Sequence, residues 1–231
     1  MYTLHIANKN YSSWSLRPWV LMKELGIPFR EELHVFPADR PSYADFKLFS
    51  PHGLVPVLDD GDAKIWESLG IVEYLAERHP GVWPLEPLTR AWARSAAAEM
   101  HGGFSALRNL CPMNVGIRVK LHEISDNLHR DLTRLEELWA DGLSRFGGPF
   151  LAGEHFTAVD AFFCPVAFRI QTYDPPLGEK AKAYGFRLLT LASMLEWSKA
   201  ALREDFREPI HEAEARDAGT WTADYRAAPR G

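Results

Sequence analysis

Between Tyr2 and Ala7 apolar and polar residues alternate, which is the period of a strand with one buried face. From Arg17 the period lengthens. Val20, Leu21 and Leu25 recur at helical spacing and Gly26 closes the run. Ile27 to Phe36 returns to a strand pattern, entered through Pro28, and Pro37 and Pro41 then mark a polar loop. A short helical piece is predicted from Tyr43 to Ser50. Leu54 to Ser68 predicts two strands joined at the Asp60-Gly61 turn. Ser68 opens an amphipathic helix with Ile71, Val72 and Leu75 on one face, ended by Pro80 and Gly81. The order β-α-β-α-β-β-α describes a small α/β unit with a mixed sheet.

Past the proline-rich segment VWPLEPLTR the period is almost wholly helical. Helices are expected over Ala91–Leu110, Val119–Phe146, Thr157–Thr172 and Phe186–Arg203. The polar tail from Asp205, ending in APRG, is expected to be only partly ordered. The change of period places a boundary between residues 1–83 and residues 89–231.

Composition narrows the class. With 46% hydrophobic and 25% charged residues in 231, a globular chain with a sizeable core is expected. Lys plus Arg is 26 against 31 for Asp plus Glu, so the net charge of -5 argues against a nucleic-acid partner. The apolar runs are too short for a membrane span, and the N-terminal MYTLHIANKN lacks the build of a secretory signal. Cys111 and Cys164 form no CxxC pair, which fits a reduced, cytoplasmic setting. The nine histidines form no HExxH or other close ligand set, so no metal is expected. Nucleotide loops of the GxGxxG and GxxxxGK[ST] types and the GxSxG elbow are absent.

Candidate chemistry gathers at three places. In YSSWSLRPW, Ser12, Ser13 and Ser15 crowd a strand-to-helix turn, where unpaired backbone N–H groups and the helix field favour anions. One hydroxyl suffices to cap the helix, so at least one more is free for a ligand. Val55-Pro56 stands at a strand entry, where proline is tolerated and an extended peptide can pair with the exposed backbone of Val55. Glu67-Ser68 ends a strand and opens a helix. There a carboxylate can meet an ammonium while hydroxyl and free N–H groups meet a carboxylate. Taken singly, the serine cluster and Glu67-Ser68 read better as ordinary capping, and Val55-Pro56 reads also as an ordinary strand entry.

Taken in this order on one β-α-β-α-β-β-α unit, with a helical domain behind it, the three stretches resemble the cytosolic glutathione S-transferase family over essentially the whole chain. FTAVDAFF adds to the likeness, since Thr157 and Asp160 have the T-x-x-D capping spacing that the family carries in the core helix of its second domain. The resemblance implies a thioredoxin-like N-terminal domain followed by an all-helical C-terminal domain, glutathione as co-substrate, and a homodimer. It implies Ser12 as the donor to the glutathione thiol, with Ser13 the close alternative and Arg17 adding positive potential. His52, Val55, Pro56, Glu67 and Ser68 would hold glutathione. Trp14, Met100, Phe104 and Leu107 would wall the pocket of a small hydrophobic electrophile. The segment is most similar to the serine-type zeta and related bacterial members, whose pattern is S-S-C-S-x-R, but Trp14 stands at the cysteine position. S-P-H-G-L-V-P replaces N-P-K-G-Q-V-P, so Leu54 offers no side-chain amide. Conjugation is the activity implied. A glutathione-dependent cis-trans isomerase and a non-catalytic binding protein of the same fold are the alternatives.

Overall fold

In the computed structural model, which describes residues 1–226, strand β1 (Tyr2–Ala7) lies inside a four-stranded sheet of order β2-β1-β3-β4. It runs parallel to β2 (Phe29–His34) and antiparallel to β3 (Val57–Asp59), and β4 (Lys64–Trp66) pairs antiparallel with β3. Parallel neighbours need a crossover, and α1 (Ser13–Glu24) supplies it. Because strand side chains alternate, Leu4 and Ile6 share one face of β1. They are fully buried in one cluster with Leu16 and Val20 of α1 and Ile71, Val72 and Leu75 of α3 (Ser68–Ala76). Burying each such side chain contributes about 1.5–3 kcal/mol. The short α2 (Tyr43–Phe46) lies in the connection from β2 to β3.

The C-terminal domain is helical. Its centre is α7 (Ala158–Tyr173), buried along nearly its whole length and packed on α1, on α4 (Pro87–Gly102) and on α8 (Glu179–Leu189). The T-x-x-D signal predicts its start. Asp160 Oδ2 accepts from the Thr157 N–H at 3.0 Å, and Oδ1 accepts from Leu151 N–H at 2.9 Å and Tyr184 O–H at 2.7 Å. Besides α6 (Asp126–Phe146), α9 (Ala192–Ala201) and α10 (Pro209–Ala218), the domain holds a two-stranded antiparallel ribbon of β5 (Ile117–Leu121) and β6 (Gly219–Asp224).

Several expected elements take a different form. The single helix over Ala91–Leu110 is two, α4 and α5 (Ser105–Leu110). The chain turns between them at Phe104, whose φ of 54° is left-handed, and at Gly103, where a Cβ would lie 2.7 Å from the Glu99 carbonyl. The stretch from Val119 opens as β5, whose pairing partner comes from about a hundred residues further on, and α6 begins only at Asp126. Phe186–Arg203 divides between α8 and α9. The tail from Asp205 builds α10 and β6, with Pro209 in the first turn and the Glu208 side chain accepting from His211 N–H. The terminal APRG lies outside the described residues. Among the described residues no helix is long and apolar enough to cross a membrane.

Candidate functional site

The loop from β1 into α1 is organised by Asn8, whose carbonyl accepts from Tyr11 N–H at 3.1 Å and Ser12 N–H at 2.8 Å. Ser12 stands at the N-cap, yet its side chain does not cap the helix. Its Oγ lies 2.7 Å from Ser15 Oγ, which accepts from Ala7 N–H at 3.3 Å. Ser13 is half-buried and its hydroxyl bonds to no other described residue. Trp14 carries the Arg17 guanidinium 4.1 Å from its ring centroid, and Arg108 lies 4.7 Å from the same ring.

The second stretch is shaped by Ser50. Its hydroxyl donates to Leu54 carbonyl at 2.7 Å, accepts from Leu54 N–H at 3.2 Å, and bonds His52 Nδ1 at 3.0 Å. The Val55-Pro56 bond is cis. The N–H and C=O of Val55 make no hydrogen bond with another described residue, so both are available to an extended ligand.

Glu67 is the N-cap of α3 and adopts φ 63°, ψ 131°, a left-handed conformation rare outside glycine. Such a conformation costs on the order of 1–3 kcal/mol, and in folded proteins it concentrates at ligand sites. The carboxylate lies 3.7 Å from His52 Nε2 and 3.8 Å from His101 Nε2. Burial lowers the pKa of both imidazoles below the usual range, and Glu67 opposes the shift. At His101 the Arg17 guanidinium lowers it further.

These stretches meet at a cavity of about 450 Å³. Ser12, Ser13, Trp14, His52, Val55 and Glu67 line one wall. Arg108, Asn109, Pro112, Met113 and Arg169 line it from the helical domain, and Phe36 and His211 also line it. Of the remaining expected site residues, Pro56 and Ser68 are buried and do not line the cavity. Ser68 Oγ accepts from Arg17 Nη1 at 3.3 Å. Arg17 is itself buried between Trp14 and Phe162, and burial pulls its pKa well down, with Arg108 adding repulsion. Arg17 does not line the cavity.

Met100, Phe104 and Leu107 do not line the cavity and are part of the hydrophobic core. The expected stripe assumed one straight helix. The turn at Gly103-Phe104 redirects the chain into α5, so Arg108 and Asn109 line the cavity instead.

Tyr11, Arg108, Arg169 and His211 are lining residues that the sequence reading missed. A signal existed for Arg169, the one charged residue after Asp160 in the apolar run of α7. Its Nε donates to Cys111 carbonyl at 2.9 Å and its Nη1 to Pro165 carbonyl at 3.2 Å. Burial lowers it to about 10, so it keeps its proton. Among the described residues no carboxylate forms an ion pair with Arg108 or Arg169. Tyr11 donates to Glu212 and receives Arg226 Nη1 at 2.9 Å. Burial and that acceptor push its phenol to about 12, so it stays protonated. Burial likewise pushes the Cys111 thiol to about 12 and Cys164 well above the usual range, so neither is a nucleophile at neutral pH.

The expectation of no close metal-type ligand set needs correcting. On the sheet the fold brings one imidazole nitrogen each of His5 and His34 and a carboxylate oxygen of Glu32 within 4.8 Å of one another.

Two family models match the chain: the glutathione S-transferase N-terminal domain over residues 11–78 and the glutathione S-transferase C-terminal domain over residues 119–228. A stringent starvation protein A homolog from Coxiella burnetii is 24% identical over 199 residues, covering 85% of this chain and 86% of that one. Glutathione S-transferase Z1 from Arabidopsis thaliana is 28% identical over 152 residues, 61% of this chain and 67% of its own. A theta class glutathione S-transferase from Xanthomonas axonopodis pv. citri, solved with glutathione bound, superposes with a TM-score of 0.61 at 24% identity, covering 85% of this chain and 96% of that one. The chain belongs to the glutathione S-transferase family, and its fold is a thioredoxin-like domain joined to a helical one.

Proposed function

We propose that the chain is a glutathione transferase that converts the glutathione thiol to a thiolate at the start of α1 and joins it to a small electrophile. The observation that carries this reading is the convergence of Ser12, Ser13, Val55 and Glu67 on one cavity wall. A thiol with pKa about 8.5 is mostly protonated at neutral pH. Lowering it by two units takes roughly 2.7 kcal/mol of preferential thiolate stabilisation. A hydrogen bond to a charged acceptor supplies roughly 1.5–3 kcal/mol, and the N-terminal field of α1 adds to it.

In this reading Ser12 donates to the sulfur, with Ser13 the alternative donor. Val55 pairs with the cysteinyl backbone through its free N–H and C=O. Glu67 accepts from the γ-glutamyl ammonium, and His52 serves the glycyl end. Ser68 and Arg17 hold Glu67 and Trp14 in place from behind. The acceptor half combines Phe36, Pro112 and Met113 with the unpaired Arg108 and Arg169, which suits an electrophile with an apolar body and an anionic group. The division at residues 1–83 and 89–231 puts glutathione against the first unit and the acceptor against the second. The protein would act as a cytoplasmic homodimer, as the family resemblance implies.

The likeness to stringent starvation protein A homologs favours a second reading, a glutathione-transferase-fold interaction module. Trp14 at the cysteine position of S-S-C-S-x-R weighs against an isomerase of the zeta kind. A crystal soaked with glutathione decides between the first two. Density bonded to Val55 and Glu67, with sulfur within hydrogen-bond reach of Ser12, supports the transferase. A vacant cavity, together with no conjugation of a chlorinated aromatic acceptor, overturns it.

A further inference from the structure

The parallel register of β1 and β2 sets His5 against Glu32 and Ala7 against His34. Alternation then puts His5, Glu32 and His34 on one face, opposite the face of Leu4 and Ile6. His5 Nδ1 lies 2.9 Å from His34 Nε2, and Glu32 Oε1 lies 3.9 Å from that same nitrogen. The other oxygen of Glu32 takes Arg30 Nη2 at 3.3 Å, which orients the carboxylate and leaves Oε1 uncommitted. Phe49 stacks on His34 at 3.7 Å and on His5 at 5.0 Å, fixing both ring planes, and Lys64 Nζ donates to the Phe49 carbonyl at 3.0 Å, where its charge still acts on His5.

We propose that His5, His34 and Glu32 form a divalent-cation site of the zinc type, separate from the glutathione cavity. Two imidazoles and a carboxylate are a donor set suited to a borderline ion, with a fourth position left for water. A tetrahedral ion with bonds of about 2.0–2.1 Å keeps its ligand atoms about 3.3 Å apart. The nitrogens must part by roughly 0.4 Å, and the carboxylate oxygen must close by roughly 0.6 Å on His34 and by up to roughly 1.5 Å on His5, movements within reach of side-chain torsions. The proton shared between the two imidazoles moves to the far nitrogen of the ring that carries it. Both facing lone pairs then point at the ion, and no net proton is lost. Occupancy would brace β1 against β2 by binding the folded state alone.

The test is calorimetric titration of the metal-stripped protein with zinc chloride, repeated for His34→Ala and for the half-exposed Glu32→Gln. One ion per chain is expected in the wild type, weakened at least about tenfold in each variant. Cobalt(II) added to the wild type should give the intense visible bands of a four-coordinate site. Circular dichroism of the metal-free variants checks that they fold. If His34→Ala does not fold, Glu32→Gln and the cobalt spectrum decide. Absence of saturable binding, or equal affinity in wild type and both variants, overturns the proposal and leaves a hydrogen-bonded histidine pair packed under Phe49.

Discussion

Ser12 Oγ and Ser15 Oγ lie 2.7 Å apart, and Ser15 Oγ already accepts from Ala7 N–H. A hydroxyl holds one proton and two lone pairs, so the pair can be oriented either way. With an N–H arriving at Ser15, that residue can donate to Ser12 and release the Ser12 proton towards a sulfur anion. A polarised chain of this kind strengthens its terminal bond. Ser12→Ala should therefore lower kcat/KM for conjugation about 10- to 100-fold, the equivalent of losing roughly 1.5–3 kcal/mol. Ser15→Ala should cost less than about tenfold, because Ser12 keeps its own proton. Ultraviolet titration of the bound thiolate checks the cause, since its pKa should rise in Ser12→Ala. If Ser13→Ala raises it and Ser12→Ala does not, the donor is Ser13.

Glutamine is nearly isosteric with glutamate, so Glu67→Gln isolates the carboxylate charge. The change removes the negative charge and one of the two acceptor oxygens that would meet an ammonium, while keeping size and shape. The KM for glutathione should rise about tenfold or more, with kcat much less affected, because the group binds ground state and transition state alike. Steady-state kinetics over varied glutathione provide the check. A fall in kcat at unchanged KM would instead assign Glu67 an interaction made in the transition state.

The sheet and its helices were legible because each rests on local period: alternation in β1, the Asp60-Gly61 turn between β3 and β4, and the Ser68 start of α3. The start of α7 could be read from Thr157 and Asp160, whose roles lie three residues apart. The break at Gly103-Phe104 was not legible, because Met100, Phe104 and Leu107 keep helical spacing across it. Only the folded chain shows Phe104 turning left-handed and Arg108 facing the cavity. The β5–β6 ribbon was hidden for a different reason. Its pairing joins Ile117 to Asp224, and no local window contains both. His5 and His34 likewise lie 29 positions apart and meet only through the register of a parallel pair.

Asp160 is fully buried, and its carboxylate serves Leu151 N–H, Thr157 N–H and Tyr184 O–H together. Replacing it by alanine leaves three buried donors without their acceptor, each worth about 1–3 kcal/mol when unsatisfied. Some will find water, so Asp160→Ala should destabilise the fold by about 3 kcal/mol or more, measured by urea unfolding. Asp160→Asn should cost less, since one oxygen remains. Glutathione binding by the folded fraction should not change, because none of these groups touches the cavity.

His101 links stability to pH. Its pKa is lowered by burial and then by the Arg17 and Arg108 guanidiniums, with Glu67 acting in the opposite direction. The folded chain therefore keeps the ring neutral at a pH where the unfolded chain, with a histidine pKa of about 6.5, has begun to bind a proton. Below that pH the unfolded state holds more protons, so this contribution to stability is complete above about pH 6.5 and is lost as the pH falls through the folded value. His5, His34 and His52 are lowered in the same direction, chiefly by burial. His101→Gln keeps a polar side chain beside Trp14 and removes the titration. Urea midpoints taken from pH 7.5 down to about pH 5.5 should fall less steeply in the variant than in the wild type. Parallel slopes would mean that His101 is as readily protonated in the fold as in the unfolded chain, and that the arginines behind Trp14 do not reach it.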